Sequence, residues 1–126
     1  MKSKILFTVL LLIFLSTTSF AQYQYKIMSY NLLNYPGNDS AIRNPYFRTV
    51  IANTDPDILV VQEILSQEGV DGFLNNVLNI ASSGYTAGTF IDGYDTDNAI
   101  FYKTSVFTFI ANNVIPTSLS NRRDWC

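Results

Sequence analysis

Hydrophobic and polar positions change period several times along the chain, and each change marks an element. Residues Tyr23 to Tyr30 read as a first strand. Asn31 to Asn44 is polar, is punctuated by Pro36-Gly37 and is expected to be a loop. Pro45 suits the first turn of a helix, and Tyr46, Val50 and Ile51 give it an apolar face with Arg43 and Arg48 on the polar side. That helix is expected to end near Asn53, ahead of Asp55-Pro56. Ile58 to Gln62 is nearly unbroken apolar sequence, the signature of a parallel strand buried on both faces, and it stops on Glu63. Strand, helix and strand together make a βαβ crossover. Val70, Phe73, Leu74, Val77 and Leu78 recur at helical spacing within Gln67 to Ile80, and Gly84 closes that region. Tyr85 to Ile91 is a further strand, ended by the turn pair Asp92-Gly93. Asn98 to Tyr102 and Val106 to Ile110 are two more, joined closely enough by Lys103-Thr104-Ser105 for an antiparallel hairpin. The pattern predicts an α/β fold with a mixed sheet. The closing stretch TSLSNRRDWC predicts no element.

The first residues follow a different rule. Lys2 and Lys4 precede an apolar run from Ile5 to Leu15 broken only by Thr8, and Ser19-Phe20-Ala21 is a small-x-small cleavage site before Gln22. Residues 1–21 are expected to be an export signal peptide, leaving 22–126 as the folded part. The apolar run is shorter than the ~20 residues that span a bilayer, so no stable membrane anchor is expected. Export leaves periplasm, cell surface and medium equally open. The 126 residues carry 8 basic and 10 acidic side chains; without Lys2 and Lys4, six basic residues face ten acidic ones, a net charge of −4. That balance argues against a polybasic nucleic-acid footprint. It leaves room for phosphate chemistry in which a divalent cation supplies the positive charge. The one cysteine, Cys126, has no partner for an intramolecular disulfide. There is no histidine, which removes the commonest general acid/base and the commonest zinc ligand together.

Two polar residues stand out by position. Asn31 follows the first strand and Glu63 the second. In neighbouring parallel strands both lie at the carboxyl edge of one sheet, where open α/β sheets place their sites. A carboxylate beside an amide is a partial shell for a hard cation such as Mg²⁺, which takes oxygen ligands and is often held by one or two carboxylates plus substrate phosphate. The plainer account is also open: an asparagine after a strand is commonly a turn residue, and a glutamate there is commonly solvated. Asp92, Asp95 and Asp97 lack the ligand order and closing glutamate of a calcium loop and are expected in a solvated hairpin loop. Arg122 and Arg123 could meet phosphate from the tail, and Asn38-Asp39-Ser40 fits a glycosylation sequon. The eight tyrosines suit strand packing, or, if exposed, carbohydrate or protein contacts.

SYNLLNY (Ser29 to Tyr35), PDILVVQE (Pro56 to Glu63) and DNAIFYK (Asp97 to Lys103) resemble the opening motifs of the endonuclease/exonuclease/phosphatase superfamily, which includes exonuclease III and deoxyribonuclease I. The likeness extends from about Lys26 to Lys103, and the arrangement resembles secreted bacterial members. The QE after PDILV is the more specific motif. The resemblance implies a metal-binding role for Glu63, and for Asn31 a role in organising metal and phosphate at the end of the first strand. Many relatives have a second polar residue two positions on, where this chain has Leu33. The implied cofactor is Mg²⁺ or Mn²⁺. The implied substrate is a phosphodiester: nucleic acid first, a phospholipid or a small phosphodiester next.

The family fold is a four-layer α/β sandwich of two packed mixed sheets, and the resemblance places this chain in its N-terminal half. The other half carries an Asp-x-Asn and a Ser-Asp-His motif, and neither is present here. The expectation is a secreted, divalent-metal-dependent phosphoester hydrolase, incomplete and inactive as it stands. The chain is expected to be marginally stable, because one half leaves apolar sheet faces uncovered. The alternatives are a non-catalytic secreted binding module and a gene remnant.

Overall fold

The computed structural model describes residues 22–93 and 95–115. The expected signal peptide, Arg122, Arg123 and Cys126 lie outside the described residues, as does Tyr94. The elements are β1 (Ile27–Tyr35), α1 (Ser40–Thr54), β2 (Ile58–Ile64), α2 (Gln67–Phe73), a π turn (Leu74–Leu78), the short α3 (Asn79–Ala81), β3 (Tyr85–Ala87) and β4 (Asp97–Lys103). The strands form one mixed sheet in the order β1-β2-β4-β3. β1 and β2 are parallel, while β4 runs antiparallel to both β2 and β3. No helix among the described residues is long and apolar enough to cross a membrane.

One hydrophobic core lies between one face of the sheet and the helices. The sheet contributes Leu32, Tyr35, Leu59, Val61, Ile64, Tyr85, Ala99 and Phe101; Phe47 and Ile51 of α1, Val70 and Phe73 of α2, and Val77 and Leu78 of the π turn meet them. Phe73 is the hinge of an aromatic cluster, with ring centroids 5.1 Å from Tyr35, 5.6 Å from Phe47 and 5.7 Å from Phe101. The opposite face carries Ile58, Val60 and Ile100, all half-buried. Phe109 shields part of that face by stacking on Tyr102 at 6.3 Å.

The mixed sheet agrees with the sequence pattern; several boundaries do not. β1 continues through Asn31 to Tyr35 rather than stopping on the asparagine, and β2 continues through Glu63 to Ile64. α1 begins at Ser40, with Pro45 inside it. Its first turn is fixed from outside: buried Asn44 accepts from the Tyr35 hydroxyl at 3.1 Å, and Arg43 binds carbonyls beyond the helix. The buried face of α1 is Asn44, Phe47 and Ile51, whereas Tyr46 is 70% exposed. The helix expected over 67–80 is interrupted by the π turn, and the strand expected over 85–91 stops at Ala87. A Cβ on Gly88 would sit 2.6 Å from both Ile100 and Phe109, so only glycine admits that close approach. No strand forms over 106–110, and the proposed hairpin is absent. β4 has β2 on one edge and β3 on the other, so no edge is free for it. Phe107 instead packs its ring on Tyr25 at 5.1 Å. Asp97 is not solvated loop: it opens β4, is 5% exposed and accepts from the Gly93 N–H at 2.8 Å.

Candidate functional site

Regular strands place every second residue on one face. In β1 the core residues Leu32 and Tyr35 are three apart, and in β2 so are Val61 and Ile64. The alternation breaks at the carboxyl end of each strand, where the ladders shift register: β1 carries two extra residues against β2, and β2 one against β4. The backbone records the insertions as left-handed conformations: φ is +49° at Leu33, +55° at Asn34 and +58° at Glu63. Holding Leu33 and Glu63 there costs about 1–2 kcal/mol each, whereas asparagine tolerates it better. In an unbroken strand Glu63 would share the core face with Val61. The bulge turns it away, and it is half-buried at the sheet edge.

There it meets Asn31. The Asn31 Nδ2 donates to Glu63 Oε1 at 3.0 Å, across the parallel β1–β2 pair. The Leu33 N–H donates to Asn31 Oδ1 at 2.8 Å. A backbone N–H is only a donor, so the oxygen of the amide must face Leu33 and its NH₂ must face the carboxylate. Asn31 thus serves both as an Asx-type turn residue and as the hydrogen-bond partner that orients Glu63. Beside it, Gln62 Nε2 donates to Ser29 Oγ at 2.9 Å, which ties the two strands together one row away.

Asn31 and Glu63, picked out in the sequence by position, are brought into direct contact. Asp92 and Asp95 are exposed in the loop before β4. Asp97 pairs in register with Ile64, next to Glu63 in sequence, so it lies near the same sheet edge. Among the described residues, no three His, Cys, Asp or Glu side chains converge. The donor set is one carboxylate supported by one amide. That fits a hard cation whose remaining positions are filled by water and substrate oxygen. Glu63 would be the ligand and Asn31 the group that orients it.

Sequence reasoning missed Arg43. The sequence pattern puts it on the polar side of the helix, but its Nη1 donates to the carbonyls of Leu32 (2.8 Å) and Leu33 (3.1 Å), inside the β1 bulge. The only sequence signal is a cation twelve residues after Asn31. The tyrosines divide: Tyr35 and Tyr85 are core, while Tyr23, Tyr25 and Tyr46 are exposed.

No family model and no curated protein matches this chain. Among solved structures it is similar to an endonuclease/exonuclease/phosphatase family protein of Bacteroides thetaiotaomicron, at 27% identity and a TM-score of 0.47, covering 65% of this chain and 33% of that one. It is similar to a mannosyl-6-phosphatase of Bacteroides thetaiotaomicron VPI-5482, at 29% identity and a TM-score of 0.47, covering 65% and 32%. It is similar in fold to ANGEL2, a 2′,3′-cyclic phosphatase, at 22% identity and a TM-score of 0.50, covering 77% and 32%. The first of these is an endonuclease/exonuclease/phosphatase family protein, the superfamily that the three sequence motifs resemble. The chain spans about a third of the length of each.

Proposed function

We propose that this chain carries the first part of a divalent-metal-dependent phosphoester hydrolase of the endonuclease/exonuclease/phosphatase superfamily, and that it is exported. The observation that supports this reading is the Asn31–Glu63 hydrogen bond, made at the carboxyl edge of two parallel strands by a glutamate in a left-handed conformation. Strained backbone of this kind concentrates at functional sites, and here it accompanies the contact of one carboxylate with one amide. Glu63 would hold Mg²⁺ or Mn²⁺. When bound, the cation polarises a phosphoryl oxygen and offsets the charge that develops on it. Asn31 holds the carboxylate in place, with its own oxygen engaged by Leu33. The hydrogen bond from Gln62 to Ser29 keeps the two strands in register beside them. The substrate is a phosphodiester, with nucleic acid first among the candidates.

The 126 residues contain no histidine to activate the attacking water, and among the described residues no three His, Cys, Asp or Glu side chains converge. The chain alone is therefore expected to bind the cation and to turn over phosphodiesters little or not at all. Calorimetric titration with Mn²⁺ and Mg²⁺ tests this. The wild-type chain should bind one cation, and Glu63→Gln, which keeps the hydrogen bond from Asn31 but loses the charge, should weaken it at least about tenfold. Equal affinity in the two proteins contradicts the reading. Metal-dependent turnover by the chain, abolished by Glu63→Ala, contradicts the expected lack of activity.

A further inference from the structure

Arg43 sits on the first turn of α1, yet its guanidinium is spent on the end of β1. Besides the carbonyls of Leu32 and Leu33, it reaches Pro36, with Nη2 donating to that carbonyl at 3.2 Å. Its Nε lies 2.8 Å from the Asp39 carboxylate. The guanidinium carbon is 5.9 Å from the centroid of the Tyr35 ring and 5.6 Å from that of Phe47. The side chain is only 19% exposed, so the fork is held by rings, a carboxylate and three carbonyls at once.

One of those carbonyls matters beyond the loop. The Leu32 C=O and the Leu33 N–H belong to the same peptide unit, which is planar. Arg43 grips the oxygen of that unit, and Asn31 Oδ1 receives its N–H. A plane fixed at its oxygen has its N–H direction fixed as well. The second carbonyl, that of Leu33, is held by the same nitrogen, so the left-handed turn at Leu33 is gripped on both sides. The charged donor also polarises the peptide and strengthens the hydrogen bond on its far side.

We propose that Arg43 is a positioning residue for Glu63: it fixes the Leu32–Leu33 peptide, the peptide fixes the Asn31 amide, and the amide holds the carboxylate. What the carboxylate then binds rests on the metal-hydrolase reading; the relay itself does not. An arginine that merely clamps a loop would stabilise the chain without governing Asn31, and Arg48 supplies the comparison. It lies on the same helix and donates Nε to the Asn76 carbonyl at 2.7 Å, on the π turn rather than on the β1 peptides.

The test uses the full chain labelled with ¹⁵N at asparagine, in wild type, Arg43→Met, Arg43→Lys and Arg48→Met. It reads the Asn31 side-chain NH₂ resonance and the affinity for Mn²⁺. Arg43→Met keeps bulk against the rings but donates nothing; it should move the Asn31 resonance to that of an unbonded amide and weaken Mn²⁺ about tenfold, as supporting groups around metal ligands do. Arg43→Lys, a point charge without the fork, should restore part of both. Arg48→Met should leave both unchanged. An unmoved Asn31 resonance in folded Arg43→Met overturns the relay, and so does an equal response to Arg48→Met. If Arg43→Met does not fold, an unmoved resonance in Arg43→Lys overturns it instead. If wild type binds no Mn²⁺, the hydrolase reading fails, and the resonance alone decides the relay.

Discussion

Leu33 has a backbone φ of +49° and a side chain 68% exposed. It gives up a favourable conformation and buries little in return. What its backbone provides is an N–H pointed at Asn31. Glu63, at φ +58°, makes the same sacrifice for its carboxylate. These costs are measurable. Leu33→Gly keeps the N–H and removes the Cβ penalty, so it should raise the unfolding free energy by about 1 kcal/mol in a denaturant titration. No gain, or a loss, would mean that the left-handed turn carries no strain. Asn31 and Glu63 were legible in the sequence as residues closing two strands. The left-handed backbone at Leu33 and Glu63 was not, because these are residue types that ordinarily avoid positive φ.

At the scale of elements, the paired bulges and the helix above them form one unit. The aromatic rings of Tyr35, Phe47 and Phe73 join β1, α1 and α2 directly beneath the site. Gly69 allows α2 to come this close: a Cβ there would lie 3.1 Å from the Tyr35 carbonyl and 3.2 Å from Ile64. Phe73→Ala should therefore cost about 3–5 kcal/mol by thermal or chemical unfolding. A loss below 1 kcal/mol would show that the ring cluster is not what supports the edge. The core residues of β2, α2, the π turn and β4 were readable from the apolar pattern, since Leu59, Val61, Val70, Phe73, Val77, Leu78, Ala99 and Phe101 are all buried. Elements whose limits depend on distant contacts were not. The start of α1 needs Tyr35 and Arg43, a hairpin through Val106–Ile110 needs a free edge on β4 that the topology denies it, and the short β3 ends where Gly88 packs against Ile100 and Phe109.

Across the whole molecule, the two ends of the sheet hold different chemistry. The carboxyl edge of β1 and β2 carries Asn31 and Glu63. The opposite edge carries an ionic cluster in which Lys103 Nζ lies 2.9 Å from Asp55 and 3.5 Å from Asp57. Hydrogen bonds from Lys103 and Ser82 hold the Asp55 carboxyl below its usual range. A depressed folded-state value adds stability above the ordinary carboxylate pKa, and that stability is lost as pH falls through the folded value. The gain is modest, about 0.5 kcal/mol, because Asp55 is partly exposed. Burial, and then the Asp55 and Asp57 carboxylates, push Tyr85 well above the usual phenol range. Its neutral form is favoured, so this contribution is complete below pH 10 and lost above it. Unfolding free energies measured from pH 2 to 7 should fall on the acid side in wild type and fall less in Asp55→Asn; identical profiles would dismiss the cluster as a pH-dependent support. The central claim concerns the other end, and paramagnetic broadening by Mn²⁺ in the NMR spectrum of the whole chain tests it most directly. The account predicts that the amides of Asn31, Leu33, Gln62 and Glu63 broaden first, and that Glu63→Gln abolishes the effect. Broadening centred on Asp92 and Asp95, or spread evenly over the surface, would contradict it.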